Sequence, residues 1–275
     1  MRVHLATEPA PGRAENEDIA FHVGPLVGVF DGVTTPAGID TGCVHSPAWY
    51  VQRLTTRLIE TAAASPDESL SATLAEAIRQ VRADHGDRCD LDNPATPAAT
   101  VCLIRDTGSR LDYLILADAF LITDHGDQVR AQTDHRFRNA VAKLRRQALT
   151  HGADSEHRRE LTRRKYQLTN QPGGYWIAAA DPEAAHHAVT GNLPLTGPDR
   201  VRRAALLTDG TACAVTDYQL MTWAGLLDLL TEHGPHELIR RVRHAENADP
   251  DRHEHPRYKR HDDATAALCL FEEPR

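Results

Sequence analysis

The sequence predicts an α+β layered fold in which two antiparallel sheets form the interior and helices pack outside them. Short apolar runs joined by hairpin-length loops lie towards both ends of the 275-residue chain, as expected of antiparallel strands. Paired segments with helical spacing of apolar residues lie between them, as expected of helices that cover one face of a sheet. No internal repeat and no long Pro/Gly/Ser linker interrupts the chain, so we expect residues 1–275 to form a single domain.

The composition is that of a soluble globular protein, with 41% apolar and 25% charged residues. The net charge of −8 argues against a nucleic-acid partner, because the chain has no overall basic excess to neutralise phosphates. The first residues contain no apolar leader segment, and no apolar run reaches membrane-spanning length. We therefore expect a cytoplasmic monomer with no membrane partner.

The cysteines are odd in number, widely spaced and without a C-x-x-C pair. They are Cys43, Cys89, Cys102, Cys213 and Cys269. This spacing is typical of reduced, mostly buried thiols in a cytoplasmic protein, and it predicts neither a disulfide framework nor a zinc site.

Strands and helices are predicted from the spacing of apolar residues and from capping residues. The predicted strands cover about residues 2–7, 18–23, 26–31, 99–105, 110–117, 120–124, 128–131, 173–177, 201–208 and 264–271. Ser46-Pro47 begins the first long helix with an N-cap and a first-turn proline. Ser65 and Glu68 have the spacing of a capping box for the second helix. Further helices are expected from Asp181, over 217–231 and over 235–247.

A basic region of about residues 135–170 is predicted to be a helical insertion or flap made of two pieces, interrupted at His151-Gly152. Its cations are Arg136, Arg138, Lys143, Arg145, Arg146, Arg158, Arg159, Arg163, Arg164 and Lys165. One interpretation is solvated helix faces whose arginine stems cover apolar surface. The other is a basic wall beside a site for phosphorylated ligands.

Acidic residues recur at the ends of predicted strands. The apolar run 26–30 ends in Asp31-Gly32, and an unpaired carboxylate at the end of a buried strand is costly unless a partner such as a metal ion compensates it. For any one such motif, an aspartate in a hairpin turn is the alternative. The same pattern, however, is found at Glu17-Asp18, Asp118, Asp209-Gly210 and Asp262-Asp263. Five such positions spread over the chain predict one oxygen-rich metal site.

In this order, the motifs resemble the successive signatures of the metal-dependent protein phosphatases, the PPM family of type 2C. The matching segments are 13–18 (RAENED), 29–32 (VFDG), Asp118, 207–210 (LTDG) and 262–265 (DDAT). The resemblance covers nearly the whole chain and implies a stand-alone catalytic domain of bacterial type. It also implies a four-layer α-β-β-α sandwich, with two central antiparallel sheets flanked by helix pairs.

The resemblance implies a role for each matching residue. Asp31 would bridge two Mg²⁺ or Mn²⁺ ions, with the Gly32 carbonyl as a further ligand, and Arg13 would bind the substrate phosphate. The remaining metal positions would be Asp209 and Asp262 at one ion, Glu17 and Asp18 acting through water, and Asp118 at a third, weaker ion. Oxygen ligands favour these hard cations over zinc, and the arginine fork suits bidentate phosphate binding.

Three positions depart from the family pattern. Val33 occupies the place where members often carry a histidine that protonates the leaving group, and His45 in the following loop is a candidate to contact the substrate instead; an ordinary loop role is its alternative. Asp118 lies between two alanines where the family has Gly-Asp-Ser. Asp263 replaces the familiar asparagine.

The function expected from this resemblance is hydrolysis of phosphoserine or phosphothreonine in proteins, with a water bridged by two metal ions as nucleophile. Phosphate monoesters hydrolyse very slowly unaided, and two hard cations lower the pKa of water and stabilise anionic oxygens. Two alternatives stay open at this point. One is a phosphatase for a phosphorylated small molecule, and the other is a weakly active regulatory domain that binds phosphorylated partners.

Overall fold

Two five-stranded antiparallel sheets lie at the centre of the chain in a computed structural model, which describes residues 1–150, 155–257 and 259–272. The strands are β1 (Arg2–Glu8), β2 (Asp18–Val23), β3 (Leu26–Gly32), β4 (Ala99–Asp106), β5 (Arg110–Leu116), β6 (Phe120–Asp124), β7 (Val129–Thr133), β8 (Val189–Pro194), β9 (Arg203–Leu207) and β10 (Ala264–Leu270). The first sheet has the order β1-β10-β9-β6-β7 and the second the order β2-β3-β4-β5-β8.

Helices cover the outer face of each sheet. They are α1 (Pro47–Ala64), α2 (Leu70–Asp84), α3 (Arg136–Thr150), α4 (Ser155–Tyr166), α5 (Asp209–Thr216), α6 (Trp223–His233) and α7 (Pro235–Ala248), with short 3₁₀ helices at Gly86–Arg88 and Pro182–His187. Helices α1 and α2 pack on the second sheet, while α5, α6 and α7 pack on the first. The predicted α+β architecture of four layers is therefore confirmed.

Strand β3 shows why the central strands read as continuous apolar runs. Val27 and Val29 point between the two sheets and pack against residues of the first sheet such as Leu206. Leu26 and Phe30, which alternate with them, point to the other face and pack beneath α1 and α2. Both faces of β3 are thus buried, and only its end carries a polar side chain.

The helix start predicted at Ser65 is wrong by four residues. Ser65 ends α1, its N–H donating to the Thr61 carbonyl at 3.0 Å. Ser69 is the N-cap of α2 and accepts a hydrogen bond from the Ala72 N–H at 3.2 Å. Because α1 continues to Ala64, the chain needs the intervening residues to reverse direction before the next helix can begin.

The predicted strand at 173–177 is also wrong. The chain turns back on itself there: the Tyr175 N–H donates to Leu168 O at 3.0 Å, and Asn170 Oδ1 accepts from the Ile177 N–H at 2.8 Å. A Cβ on Gly174 would lie 2.0 Å from the Leu168 carbonyl oxygen, so this turn requires glycine. The fifth strand of the second sheet is instead β8, and α5 begins directly after β9, two features that sequence patterns did not indicate.

The basic region forms the two predicted helices, α3 and α4, between β7 and the turn at 168–177. Its interruption at His151-Gly152 lies outside the described residues. Phe137 and Val141 of α3 pack with Tyr175 and Ile177, which attaches the segment to the turn beside β4. Within the described ranges, no helix has the length and apolarity needed to cross a bilayer.

Candidate metal and phosphate site

The acidic motifs come together because antiparallel pairing brings the start of one strand beside the end of its neighbour. Asp18 at the start of β2 lies opposite Asp31 at the end of β3 in the sheet register. In the other sheet, the end of β9 lies beside the start of β10, which places Asp209 near Asp262. Both pairs lie at the same end of the sandwich.

Asp18 is buried at the centre of this group, with 5% of its surface exposed. Its Oδ2 accepts a hydrogen bond from Thr208 Oγ1 at 2.9 Å, which links the two sheets. Its Oδ1 is buried and has no hydrogen-bond partner within the described chain. Burial, opposed by hydrogen bonds from Thr265 and Thr208, raises the pKa of Asp18 to about 7. A buried carboxylate oxygen without a donor is a position where a cation fits.

Asp31 and Asp209 experience the same burial and repulsion from neighbouring carboxylates. Burial raises the pKa of Asp31 well above its usual range, and the charges of Asp18, Asp209 and Asp262 raise it further. Burial also raises the pKa of Asp209, reinforced by repulsion from Asp262 and Asp118. Solvent reaches both carboxylates, since Asp31 is half-buried and Asp209 is exposed. Many protein atoms nevertheless lie around each of them. The two carboxylates therefore line a recess that water and ions can enter.

Lys259, a residue the sequence did not single out, provides a positive charge within this recess. Its Nζ donates to Asp262 Oδ1 at 2.7 Å and to Thr34 Oγ1 at 2.9 Å. Burial alone would lower the pKa of Lys259, but Asp262, Asp31 and Asp209 raise it, so the amine stays protonated. One lysine cannot balance all of the carboxylates gathered here.

Arg13 and Glu17 extend the group towards solvent through Thr34. Arg13 Nη1 donates to Glu17 Oε2 at 2.7 Å and to Thr34 Oγ1 at 3.3 Å. Thr34 Oγ1 also donates to Glu17 Oε2. Arg13 is placed in the recess by these contacts while 38% of its side chain stays exposed. The sequence did not indicate Thr34, since a single threonine in a small-residue loop carries no pattern.

Asp263 organises the segment that carries Arg13 and Glu17. This buried carboxylate accepts the Ala10 N–H at Oδ1 and the Glu17 N–H at Oδ2, both at 2.7 Å. Both of its oxygens serve as acceptors, a role that a carboxylate can fill and an amide, with its one NH₂ group, cannot. Asp263 thus holds the loop between β1 and β2 against the start of β10.

Two glycines allow the backbone to approach closely at the site. A Cβ on Gly32 would lie 2.7 Å from the Glu17 carbonyl oxygen, which accepts the Gly32 N–H at 2.8 Å. A Cβ on Gly210 would lie 1.9 Å from the Asp263 carbonyl oxygen. The glycine of each Asp-Gly motif therefore lets two segments of the site meet.

Asp118 lies between β5 and β6, after Ala117 with φ of 64°, and within electrostatic range of Asp209. Lys165 at the end of α4 approaches it: burial lowers the pKa of Lys165 and the charge of Asp118 opposes that shift. Arg163 and Arg164, by contrast, form exposed ion pairs with Glu160. Among the described cations of the basic region, Arg163 and Arg164 are therefore solvated, whereas Lys165 faces the acidic site.

This donor set suits hard divalent cations. It consists of carboxylates, a backbone carbonyl and hydroxyls, with more negative than positive charge and one buried oxygen lacking a donor. The carboxylate oxygens are nevertheless not drawn together: within the described ranges, no three of them lie within 4.8 Å of one another. Burial and, after it, repulsion from neighbouring carboxylates raise the pKa values of Asp31 and Asp209, so bound cations would stabilise this group.

His45 lies in a different environment from the one expected of a substrate-binding residue. Its ring stacks on Trp49 with centroids 3.8 Å apart. Its Nδ1 lies 3.5 Å from Cys43 Sγ and 3.4 Å from Cys89 Sγ. No hydrogen bond described for this part of the chain joins His45 to Arg13 or to the carboxylates. The cysteines also differ from the expected pattern, because only Cys102 and Cys269 are buried.

Comparison with known structures shows that the chain shares its fold with bacterial serine/threonine phosphatases. The chain is similar to the PPM Ser-Thr phosphatase MsPP from Mycobacterium smegmatis, solved with cacodylate, with a TM-score of 0.58, 18% identity and 99% of each chain covered. It is similar to the Mycobacterium tuberculosis serine/threonine phosphatase PstP/Ppp, with a TM-score of 0.59, 15% identity and 99% of each chain covered.

A third similar structure is the catalytic domain of the serine threonine protein phosphatase PstP in complex with 2 manganese ions. Its TM-score is 0.56 at 15% identity, with 97% of this chain and 96% of that chain covered. No family model matches the sequence, and no curated protein matches it. At these identities the likeness shows the fold alone.

Proposed function

We propose that this protein is a metal-dependent phosphomonoester hydrolase that acts on phosphoserine and phosphothreonine in proteins. The observation that carries the proposal is the convergence of Asp18, Asp31, Asp209 and Asp262, from both ends of the chain, on one recess at the end of the sandwich. Folding against this repulsion is costly unless cations bind there. The reaction class is that of the serine/threonine phosphatases with which the chain shares its fold.

The ions would be two Mg²⁺ or Mn²⁺, in keeping with the manganese-bound PstP domain. Asp31 would be a ligand of both ions, the Gly32 carbonyl would be a further ligand, and Asp209 and Asp262 would complete the coordination of one ion. Glu17 and Asp18 would act through water, and Asp118 would hold a third, weaker ion. When bound, such ions lower the pKa of water to produce the nucleophile and neutralise the phosphate oxygens.

Arg13 would bind the substrate phosphate at the rim of the recess. A guanidinium has five N–H donors, and its contacts with Glu17 and Thr34 both use Nη1. The rest of the fork is available to meet two phosphate oxygens. Asp263 contributes indirectly, because it fixes the loop on which Arg13 lies.

Lys259 and Lys165 would act as fixed charges beside the bound phosphate. Lys259 contacts Asp262 and Thr34, so it also sets the position of an oxygen offered to an ion. Val33 offers no proton to the leaving group; its N–H donates to Ala98 O at 2.8 Å and its side chain packs in an apolar cluster. The leaving oxygen would therefore take its proton from solvent. We place this activity in the cytoplasm, in a monomer.

The proposal is tested by phosphatase assays with a matched pair of variants on α5. We expect wild-type protein to hydrolyse p-nitrophenyl phosphate with Mn²⁺ and to lose that activity in EDTA. Asp209→Asn removes a carboxylate at the start of the helix and should lower kcat/KM at least about 100-fold. Asp217→Asn makes the same change at the exposed far end of α5 and should leave activity unchanged.

The choice of substrate is tested with a panel of phosphothreonine peptides against a panel of phosphorylated metabolites. We expect the peptides to be hydrolysed with the higher kcat/KM. A preference for metabolites would assign the site to a small-molecule substrate, for which Lys165 beside Asp118 would be the structural reason. The absence of turnover with either metal would overturn the catalytic proposal and leave a regulatory domain that binds phosphorylated partners.

A further inference from the structure

Cys43, His45 and Cys89 form a second cluster, apart from the carboxylates. Cys43 and His45 lie in the loop between β3 and α1, and Cys89 lies just after the 3₁₀ helix that follows α2. Their ligand atoms, two Sγ and one Nδ1, all lie within 4.8 Å of one another. No other three-residue group of this kind is found over residues 1–150, 155–257 and 259–272.

The distances within the cluster match the edges of a tetrahedral metal site more closely than they match a disulfide. The two sulfurs are 3.0 Å apart, too far for a disulfide bond of about 2.05 Å. The two sulfur–nitrogen distances are 3.5 and 3.4 Å. Zinc bound tetrahedrally at usual bond lengths gives edges of about 3.6 Å for sulfur–nitrogen and about 3.8 Å for sulfur–sulfur. Small rotations of the two thiols would open the remaining gap.

The surroundings hold these three side chains in place. Trp49 stacks on the imidazole of His45, and the ring of His85 meets the same imidazole edge-on at 5.2 Å between centroids. The backbone N–H of His45 donates to Cys43 Sγ at 3.4 Å. A hydrogen bond of this kind stabilises a metal-bound thiolate. All three residues are half-buried, so an ion can enter and water can fill a fourth position.

The backbone around the cluster is also fixed. The Asp90 N–H donates to Gly42 O at 2.7 Å, and Asn93 Nδ2 donates to Asp40 O at 3.2 Å. A Cβ on Gly42, whose φ is 65°, would lie 3.0 Å from the Asp90 carbonyl oxygen. Two loops that are far apart in sequence therefore meet closely where the sulfurs and the imidazole converge.

We infer that Cys43, His45 and Cys89 bind a zinc ion that clamps the loop after the second acidic motif to the segment after α2. Two thiols and an imidazole favour a softer ion than the carboxylate recess does, so the two sites select different metals. On binding, each thiol loses its proton to solvent, the neutral imidazole donates the lone pair of Nδ1, and the metal is neither oxidised nor reduced. The ion would fix the loop that leads from Asp31-Gly32 to α1.

Cobalt substitution tests this site and separates it from the carboxylates. Metal-free protein, reduced and kept under argon, is titrated with Co²⁺ and then with Zn²⁺ in excess Mg²⁺. We expect one equivalent of Co²⁺ to give thiolate-to-cobalt charge-transfer absorption, which carboxylate ligands do not produce, and Zn²⁺ to abolish it. Cys43→Ser and Cys89→Ser should each lose this absorption, whereas Cys213→Ser, at another half-buried cysteine, should keep it.

A second measurement needs no variant and so does not depend on the folding of the cysteine mutants. Wild-type protein is alkylated with iodoacetamide with and without Zn²⁺, and the labelled cysteines are read by mass spectrometry. We expect Zn²⁺ to slow labelling of Cys43 and Cys89 at least about tenfold and to leave Cys213 unchanged. No thiolate absorption in the reduced protein, equal absorption in the Cys43 and Cys89 variants, or no protection by Zn²⁺ would each overturn the inference. None of these readouts depends on phosphatase activity.

Discussion

At the scale of single residues, the carboxylate of Asp263 is matched to the two backbone groups that it holds. Two backbone N–H groups, of Ala10 and Glu17, donate to its two oxygens at 2.7 Å. An asparagine in this position would turn an NH₂ group towards one of those donors. A carboxylate, with two acceptor oxygens, is therefore matched to this particular loop.

We expect Asp263→Asn to lower the free energy of unfolding by about 1–3 kcal/mol, since one buried N–H loses a charged acceptor. It should also lower kcat/KM, because the loop that carries Arg13 loses an anchor. Urea denaturation at saturating Mn²⁺, where bound cations offset repulsion from Asp18 and Asp262, measures the first effect. Asp251→Asn, on an exposed acid, is the matched control. Equal stability of both variants would show that Asp263 does not hold this loop.

At the scale of elements, local sequence patterns identified most strands. They gave wrong predictions where tertiary contacts determine the structure. The acidic ends of β2, β3, β9 and β10 were visible because an apolar run that stops at a carboxylate is unusual. The start of α2 was misplaced because Ser65 and Ser69 both satisfy capping rules, and only the length of α1 decides between them. The turn at 168–177 resembled a strand because Tyr175 and Ile177, two residues apart, are buried by packing with α3 and not by strand pairing.

The first turn of α5 leaves no room for a larger residue at Gly210. Gly210→Ala would place a methyl group 1.9 Å from the backbone carbonyl oxygen of Asp263, so either α5 or β10 must move. We expect a loss of at least about 1–3 kcal/mol of stability, typical of overpacking against rigid backbone. Thermal unfolding followed by circular dichroism measures it.

Gly225→Ala in α6 is the matched control for that substitution. Its methyl group would lie 3.5 Å from Met221 Cβ, an ordinary contact, and alanine favours a helix over glycine. We expect it to stabilise the protein by about 0.5–1 kcal/mol. If both glycine variants changed stability in the same direction, the close approach at Gly210 would not be the cause.

The loop that follows α7 depends on one carboxylate, which gives it a defined response to acid. Asp249 accepts the N–H groups of His253 and His255 and an ion pair from Arg257 at 2.9 Å. Burial by itself raises the pKa of Asp249, but the backbone N–H groups and Arg257 outweigh it and lower that pKa to about 2. A carboxylate with a lowered pKa stabilises the fold above its unfolded pKa, and this contribution is lost as the pH falls through the folded pKa.

We therefore expect Asp249→Asn to be less stable than wild type at pH 5, with the difference shrinking between about pH 4 and about pH 2. Urea midpoints at several pH values measure the difference between the two proteins. The loop leads to Lys259 and Asp262, so the variant should also lose activity at neutral pH. A stability difference that does not change with pH would mean that the charge of Asp249 is unimportant.

At the scale of the whole molecule, the sequence indicated which residues form the acidic site, while only the fold indicates what surrounds them. The order of the acidic motifs along the chain identifies the residues of the site. Lys259 and Thr34 had no such motif, and they became visible only through their contacts with Asp262 and Glu17. The meeting of Cys43 with Cys89 is similar, since their sequence separation gives no sign of a shared site.

In the absence of metal, wild-type protein should be less stable than a variant that lacks one of the proposed metal ligands. Because the pKa of Asp209 is raised by burial and by repulsion from Asp262 and Asp118, its charge destabilises the folded state at neutral pH. In EDTA, Asp209→Asn should therefore melt at a higher temperature than wild type. With Mn²⁺ the order should reverse, because an ion at 100 times its dissociation constant adds about 2.7 kcal/mol to the stability of the protein that binds it.

Asp217→Asn should follow wild type in both conditions, since it lies at the exposed end of the same helix. Differential scanning calorimetry at pH 7.5 measures all three proteins. A lower melting temperature for Asp209→Asn than for wild type in EDTA would mean that the charge of Asp209 stabilises the metal-free fold. Repulsion at Asp209 would then not be a reason for a cation to bind in the recess.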